Sequence, residues 1–216
     1  MLLMLLSCSQ AAEPAPTPPT ESAPAESAPQ PPVVPSCPET TAELAAVYPE
    51  RLDAADSRLS AGDLIVIRKG VRRVMFYREG ARAEAACWSA GLGFAPTGHK
   101  LVEGDGKTPE GFYATSDKPW SQFYGAIAVH YPGEADAEAA VDDGRISAGT
   151  KKAIVASLSR GEKPKQTTAM GGEILLHGGG GQSDWTLGCI AMDNSDLDIL
   201  RAALPRDMKT TVLILP

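Results

Sequence analysis

A proline-rich segment near the N-terminus limits which part of this chain can fold. Between Ala11 and Pro38 the sequence consists mainly of Pro, Ala, Glu, Ser and Thr, with ten prolines and only two large aliphatic residues. Such a segment cannot bury enough apolar surface to offset the entropy lost on ordering. We therefore expect a disordered tether over residues 9–38, followed by one domain of ordinary size over residues 39–216.

The first eight residues, MLLMLLSC, resemble a bacterial lipobox. In such a segment an apolar run ends at a cysteine, here Cys8, that is lipidated and becomes the mature N-terminus; the basic residues that usually precede the run are missing. Residues 1–8 are thus predicted to be a signal segment, and the protein a lipid-anchored periplasmic protein of the bacterial cell envelope. No apolar run in the sequence reaches the roughly 18 residues that span a bilayer.

The charge balance narrows the classes of partner. The chain has 27 acidic and 20 basic side chains, which gives a formal net charge of −7. A negatively charged chain is a poor match for nucleic-acid phosphates, so we expect no nucleic-acid partner. The net charge does not restrict small or peptidic substrates.

Apolar alternation and glycine-containing turns predict a mainly β domain with a few peripheral helices. Strands are predicted over 63–68, 73–78, 81–89, 111–115, 126–130, 173–177 and 210–215. The turns Lys69-Gly70 and Glu79-Gly80 make the first three strands a meander. Helices are predicted over 41–47, 51–59 and 195–204, with Ser195 as the N-cap of the last, and within 134–161.

The stretch LHGGGGQSDWTLGCIAMDN, residues 176–194, contains the main candidate site. His177 ends a predicted strand, and Cys189 follows Gly188, which permits a sharp turn. Each residue alone is more often structural, as a core histidine or a buried thiol. Together they fit a nucleophilic cysteine with its imidazole base, because an imidazole favours the thiolate and such a turn presents backbone N–H groups to an oxyanion.

The remaining cysteines are interpreted for an oxidising compartment. With Cys8 assigned to lipid and Cys189 to catalysis, Cys37 and Cys87 are left. They form either a disulfide that attaches the end of the tether to the domain or two unpaired thiols. The sequence leaves both alternatives open.

Four separated motifs resemble the YkuD-like family of L,D-transpeptidase catalytic domains. GHKLVEGDGKTPEG over residues 98–111 is similar to the family's Thr-Pro-x-Gly strand entry and, in its full form, to the YafK-like branch. The dipeptide Tyr131-Pro132 follows a predicted strand, as in that branch. The other two motifs are Asp184-Trp185-Thr186 and the catalytic signature formed by His177-Gly178, Gly188-Cys189-Ile190, Met192 and Asn194.

The resemblance implies a sandwich or barrel of the L,D-transpeptidase type that acts on peptidoglycan stem peptides without a cofactor. In that mechanism the Cys189 thiolate attacks the carbonyl on the L-centre of diaminopimelate. His177 takes the thiol proton and returns it to the leaving amine, and N–H groups at Gly188 and Cys189 hold the oxyanion. An amine acceptor would make the enzyme a transpeptidase and water an amidase or carboxypeptidase, and the sequence leaves both open.

Further residues are candidates for the same site, each with a structural role as the alternative. Thr186 is expected at the turn beside the nucleophile. Glu103 and Asp105 either bind an acceptor amine or are solvated turn carboxylates. Candidates for substrate binding are Gly178, His99, Asp184, Trp185 and Asn194. No metal site is expected, because the chain has neither a His-x-x-x-His pair nor a Cys-x-x-Cys motif.

A catalytically inactive domain that binds peptidoglycan is the alternative to an enzyme. Leu187 stands where most family members have a second histidine, and Ala191 where an arginine is usual. The change at Leu187 is expected in the Asp-Trp-Thr branch. Retention of both His177 and Cys189 favours an enzyme, because an inactive site has no reason to keep a reactive thiol in an oxidising compartment.

Overall fold

The computed structural model describes residues 36–216 of the chain. The predicted lipobox with Cys8, and most of the predicted tether, lie outside the described residues. Within the described part, no helix is both long enough and apolar enough to cross a membrane.

Eight strands form one curled sheet, a half-barrel, in the order β3-β2-β1-β8-β4-β5-β6-β7. The strands are β1 Asp63–Arg68, β2 Arg73–Arg78, β3 Ala81–Ser89, β4 Gly111–Asp117, β5 Ile127–Val129, β6 Leu175–His177, β7 Ile190–Ala191 and β8 Thr211–Leu215. The mainly β fold with peripheral helices is therefore confirmed. Strand β7 is absent from the sequence prediction because two residues are too few to show a strand period.

The meander of β1, β2 and β3 follows from its turn residues. Glu79 and Gly80 join β2 to β3 with φ values of 51° and 80°. A two-residue hairpin turn of type I′ requires a positive φ at both positions. Strands β1 and β2 pair antiparallel over their whole length, from Asp63 opposite Arg78 onwards.

Each face of the sheet carries its own apolar cluster. On β1, Ile65 and Ile67 belong to the larger cluster, whereas Leu64 and Val66 belong to the smaller one together with Leu44. Alternate residues of a strand point to opposite faces, so the continuous apolar run of β1 serves both clusters. The larger cluster also contains residues of β5, β6 and β7 and so supports the strands that carry the candidate site.

The C-terminal strand joins the two halves of the sheet. Strand β8 pairs parallel with β1, Leu64 opposite Thr211, and antiparallel with β4, Gly111 opposite Ile214. From β4 the sheet continues antiparallel through β5 to β6, and β7 then pairs parallel with β6. The end of the chain thus lies between the meander and the strands of the site.

Among the described residues, five helices lie around the sheet. They are α1 Thr41–Val47, α2 Ser57–Ser60, α3 Glu134–Asp142, α4 Ala148–Ser159 and α5 Asn194–Ala203. The helix predicted over 51–59 is confined to α2, which begins after Asp56 because that carboxylate caps its first turn. Helix α5 begins one residue before the predicted start, with Asp193 rather than Ser195 as its N-cap.

Cys37 and Cys87 form a disulfide, which decides between the two alternatives for these cysteines. The bond joins the segment before α1 to β3, an edge strand of the sheet. The Pro38 carbonyl accepts a hydrogen bond from the Tyr77 hydroxyl at 2.8 Å, and Thr40 pairs with the first residue of β3. The last residues of the predicted tether are thus attached to the domain.

Candidate active site

The end of β6 and the start of β7 bring His177 and Cys189 to one cavity. In this parallel pair His177 lies opposite Ala191. Continuing the register places Cys189 beside Leu175, so that Cys189 and His177 are diagonal neighbours on the same face of the sheet. Both side chains line a cavity of about 440 Å³.

The walls of this cavity come from the loop at residues 100–104, from the loop at residue 123 and from the segment 166–189. They consist of Lys100, Glu103, Gly104, Phe123, Gln166, Gly171, Gly172, Glu173, Ile174, His177, Trp185, Thr186, Leu187 and Cys189. The candidate residues Glu103, His177, Trp185, Thr186 and Cys189 therefore line one cavity. Across residues 36–216, no group of three or more His, Cys, Asp or Glu side chains is placed to hold a metal ion.

His177 is buried between two aromatic rings. It stacks on Phe123 with 4.6 Å between ring centroids, and Trp185 approaches it edge-on at 5.7 Å. Its Nδ1 lies 2.6 Å from the Gly178 carbonyl oxygen, which can only accept, so Nδ1 carries the proton and donates. Nε2 of the neutral ring keeps its lone pair and can act as a base. Burial lowers the pKa of His177, and the bond to Gly178 opposes this shift.

The Cys189 thiol is half-buried and donates a hydrogen bond to the Glu173 carbonyl oxygen at 3.4 Å. The hydrogen bonds of the described residues include none between this thiol and His177. Burial raises the pKa of the Cys189 thiol by more than the hydrogen bond from the Leu175 backbone N–H lowers it. The resting site therefore contains a neutral thiol and a neutral imidazole.

Glu173 has a left-handed backbone conformation that its contacts maintain. Its φ is 53°, which is costly for a residue with a side chain. The Glu173 N–H donates to Gln166 Oε1 at 2.7 Å. Its carboxylate forms ion pairs with Lys118 and, at 3.0 Å, with Lys163. The carbonyl that accepts the hydrogen bond from the thiol is therefore held in place by residues other than His177 and Cys189.

The turn before Cys189 depends on Gly188 and Thr186. Gly188 has a φ of 132°, and a Cβ there would lie 2.6 Å from the Lys107 carbonyl oxygen. Thr186 Oγ1 accepts from the Gly188 N–H at 3.1 Å and donates to the Cys189 carbonyl at 2.8 Å. The Gly188 N–H, an expected oxyanion donor, is thus engaged within the turn. The Cys189 N–H has no acceptor among the described residues and is free to donate.

Two predicted site residues lie outside the cavity and hold loops instead. Asp184 forms an ion pair with Arg72, with 2.7 Å between Oδ2 and Nη2, and so anchors the loop before Trp185. His99 Nδ1 accepts from the Glu110 N–H at 2.9 Å, so its Nε2 carries the proton and donates to Asp136 at 3.1 Å. Neither side chain is part of the cavity wall.

Gly178 and Asn194 support the loop that follows His177. Asn194 Oδ1 accepts from the Gly179 N–H at 2.9 Å, and the Gly178 N–H donates to the Tyr124 carbonyl at 2.9 Å. A Cβ at Gly178 would lie 2.2 Å from Asn194 Oδ1. Gly178 therefore contributes its carbonyl group to His177, and Asn194 acts behind the site rather than in the cavity wall.

Sequence reasoning misses several side chains of the cavity, among them Phe123, Gln166 and Glu173. Phe123 and Gln166 lie in loops that carry no recognisable motif. For Glu173 there is one signal, the preceding pair Gly171-Gly172, because consecutive glycines often mark an irregular backbone.

A family model of the YkuD L,D-transpeptidase catalytic domain matches residues 62–214. The chain belongs to this family. The predicted family and the L,D-transpeptidase type of fold are thereby confirmed, and the YafK-like branch stays a prediction. Members of this L,D-transpeptidase family act on peptidoglycan.

Solved structures similar to this YkuD domain include L,D-transpeptidases and a cell-shape protein. The helical cell shape determining protein Pgp2 from Campylobacter jejuni is 24% identical, over 71% of this chain and 47% of that chain, with a TM-score of 0.46. An L,D-transpeptidase from Mycobacterium tuberculosis is 12% identical, over 72% and 58% of the two chains, with a TM-score of 0.42. One from Xylanimonas cellulosilytica is 14% identical, over 72% and 61%, with a TM-score of 0.37. The present chain spans about half the length of Pgp2. No curated protein sequence matches it.

Proposed function

We propose that this YkuD domain is a cysteine-dependent acyltransferase that acts on peptidoglycan stem peptides. The observation that carries the proposal is that the Cys189 thiol and the His177 imidazole line one cavity, while Gly178 fixes the ring tautomer. A neutral histidine with a free Nε2 lone pair is the base that such a thiol needs. Family membership supports the substrate class.

The first half of the reaction forms a thioester. When a stem peptide binds, the thiol leaves the Glu173 carbonyl and its proton passes to Nε2 of His177. Sγ attacks the carbonyl on the L-centre of diaminopimelate, and the Cys189 N–H is the free donor for the resulting oxyanion. The imidazolium then gives its proton to the leaving amine, D-alanine in the usual reaction, as the C–N bond breaks.

The second half of the reaction releases the acyl group from sulfur. An amine of another stem peptide attacks the thioester, His177 takes a proton from it, and a new amide bond replaces the C–S bond. Water can attack in the same way and give a free carboxylate, which would make the protein a carboxypeptidase or amidase. In both cases the proton on His177 returns to Cys189 and restores the thiol.

The proposed function includes a lipid-anchored position in the periplasm. Cys8 would carry the lipid, and the predicted tether would join it to the domain. We expect the membrane fraction to contain the protein with a lipidated N-terminal peptide. In Cys8→Ser, both the lipidated peptide and the association with the membrane should be lost.

Intact mass spectrometry tests the chemistry. The full chain carrying Cys8→Ser would be incubated with purified muropeptides, beside the same chain with Cys189→Ala added. We expect one acyl-stem adduct on the first protein, with release of the leaving amino acid, and no adduct on the second. The second product, amide or carboxylate, identifies the acceptor. A folded protein that binds peptidoglycan without adduct or turnover would overturn the proposal and favour the inactive binding domain.

A further inference from the structure

The cavity wall contains one carboxylate without a partner, that of Glu103. Lys100 Nζ is paired with Asp105 at 2.9 Å, and the Glu173 carboxylate is paired with two lysines. The catalytic thiol and imidazole are neutral at rest. The Glu103 side chain forms neither a hydrogen bond nor an ion pair with any residue of 36–216. Its charge is therefore available to a ligand.

The two acidic residues of this turn, Glu103 and Asp105, have different surroundings in the structure. Asp105 accepts hydrogen bonds from Lys100 Nζ and from three backbone N–H groups, those of Leu101, Val102 and Lys107. Its oxygens are thus used to build the turn. Asp105 is the structural carboxylate of the pair, and Glu103 is the one that the turn presents to the cavity.

The backbone of Glu103 is held while its side chain is exposed. Its N–H donates to the Ala169 carbonyl oxygen at 3.0 Å. On the other side, Gly171 has a φ of 76° and packs so closely that a Cβ there would lie 3.1 Å from Glu103 Cα. Two contacts therefore fix the backbone of Glu103, while its carboxylate stays exposed at the cavity without a partner.

We propose that Glu103 selects ligands that carry an ammonium group. The inference rests on the proposed function for the identity of the ligand, since diaminopimelate has a second amino group besides the acylated one. The ammonium bound by Glu103 is not the attacking amine, because pairing with a carboxylate keeps an amine protonated and removes its nucleophilicity.

Two lysines that are not themselves part of the cavity wall, but pair with Glu173 of that wall, narrow the ligand class further. Lys118 and Lys163 share the single carboxylate of Glu173, so this cluster carries one excess positive charge. A zwitterionic α-amino-acid group would place its ammonium at Glu103 and its carboxylate near the two lysines. The free end of a diaminopimelate side chain is such a group.

Charged thiol reagents test the selection without a stem peptide. The full chain with Cys8→Ser would be treated with cationic 2-aminoethyl methanethiosulfonate and with anionic 2-sulfonatoethyl methanethiosulfonate. The rate of Cys189 modification by each charged reagent is divided by the rate with neutral methyl methanethiosulfonate. The neutral reagent measures access to the thiol. Glu103→Gln should lower the ratio of the cationic to the anionic rate about fivefold, the effect of one solvent-exposed charge at short range.

The matched control is Glu84→Gln. Glu84 is an exposed glutamate on β3, at the other end of the sheet, and its substitution changes the net charge by the same amount. We expect Glu84→Gln to leave the ratio unchanged. The proposed role of Glu103 would be overturned if Glu103→Gln had the same cationic-to-anionic rate ratio as wild type. It would also be overturned if Glu84→Gln changed this ratio as much as Glu103→Gln does.

Synthetic stem peptides then test the ligand class. The peptides carry diaminopimelate, lysine or norleucine at the third position. The diaminopimelate side chain has an ammonium and a carboxylate, that of lysine has only the ammonium, and that of norleucine has neither. We expect acylation of Cys189 in the order diaminopimelate, lysine, norleucine, and Glu103→Gln should abolish the difference between lysine and norleucine. A preference for lysine over norleucine that survives in Glu103→Gln would overturn the proposal. If no peptide acylates Cys189 but the reagent ratio shifts, the proposed function fails and charge selection by Glu103 stands.

Discussion

The Cys189 thiol donates its hydrogen bond to the Glu173 carbonyl oxygen, 3.4 Å away, and not to His177. His177 in turn donates from Nδ1 to Gly178. The two groups proposed to exchange a proton are thus held separately at rest, each by a backbone carbonyl. A neutral thiol is less readily oxidised than a thiolate, so a thiol held in this way is protected from oxidation while no ligand is bound.

The reactivity of Cys189 should follow the raised pKa of its thiol. Burial raises the pKa of Cys189 above its ordinary value, so little thiolate is present at pH 7. We expect alkylation by iodoacetamide to be slower than in the unfolded protein at pH 7 and still to be rising at pH 9. His177→Ala should change this profile little. A rate that reaches a plateau below pH 8 would instead indicate a thiolate–imidazolium pair.

Thr186 should stabilise the turn through its hydroxyl group. The side chain is buried, and its Oγ1 makes one hydrogen bond as acceptor and one as donor. Thr186→Val keeps the shape but leaves two backbone groups unpaired, so we expect the free energy of unfolding to fall by about 1–3 kcal/mol. Acylation of Cys189 should slow as well. Thr186→Ser is the control and should restore both the denaturant midpoint and the acylation rate.

Gly188 should be intolerant of any side chain. Gly188→Ala would place a Cβ 2.6 Å from the Lys107 carbonyl oxygen, at a φ of 132°. Gly144→Ala is the matched control, because Gly144 also has a positive φ, 76°, but nothing lies within 4 Å of its Cβ position. We expect the control to lose about 1 kcal/mol of unfolding free energy and Gly188→Ala clearly more. Equal losses in denaturant titrations would show that the close contact is unimportant.

His130 should make the folded state sensitive to acid. It is 2% exposed, its Nε2 lies 2.9 Å from Ser116 Oγ, and its Nδ1 has no partner within residues 36–216. Burial lowers the pKa of His130 to about 4. In the unfolded chain the pKa is about 6.5, so between these values the unfolded state binds a proton that the folded state does not.

The contribution of His130 is therefore complete above pH 6.5 and is lost as the pH falls towards 4. The expected loss in unfolding free energy is up to about 3 kcal/mol. Denaturant titrations at pH 7 and pH 4.5 on wild type and His130→Gln measure it, because the variant lacks the titrating group. If the unfolding free energies of wild type and His130→Gln differed by the same amount at pH 7 and pH 4.5, His130 would not be the source of the acid sensitivity.

The disulfide should contribute strongly to stability. Cys37 and Cys87 are 50 residues apart in sequence. The chain-entropy model predicts about 4 kcal/mol for closing a loop of this length. Replacing both cysteines with serine should lower the denaturant midpoint of unfolding accordingly. A reductant should lower the midpoint of the wild-type protein and leave the midpoint of the serine variant unchanged. A reductant that leaves the wild-type midpoint unchanged would show that the bond contributes little.

Much of the fold can be predicted from local patterns. Strands β1 to β3 follow from apolar runs and from the glycine-containing turns at Lys69-Gly70 and Glu79-Gly80, because a strand period and a short turn depend only on neighbouring residues. His177 and Cys189 stand out in the same way, through a glycine-rich stretch that matches a family signature.

Tertiary structure decides which of the remaining polar residues belong to the site. Asp184 meets Arg72, 112 residues earlier in the chain, and Asp105 is used by its own turn, while Glu103 is left without a partner. Glu173 reaches the thiol through its backbone, which no side-chain pattern reveals. Whether a carboxylate anchors a loop or faces a ligand depends on which distant groups the strand register and loop packing bring beside it, and spacing in the sequence does not encode those partners.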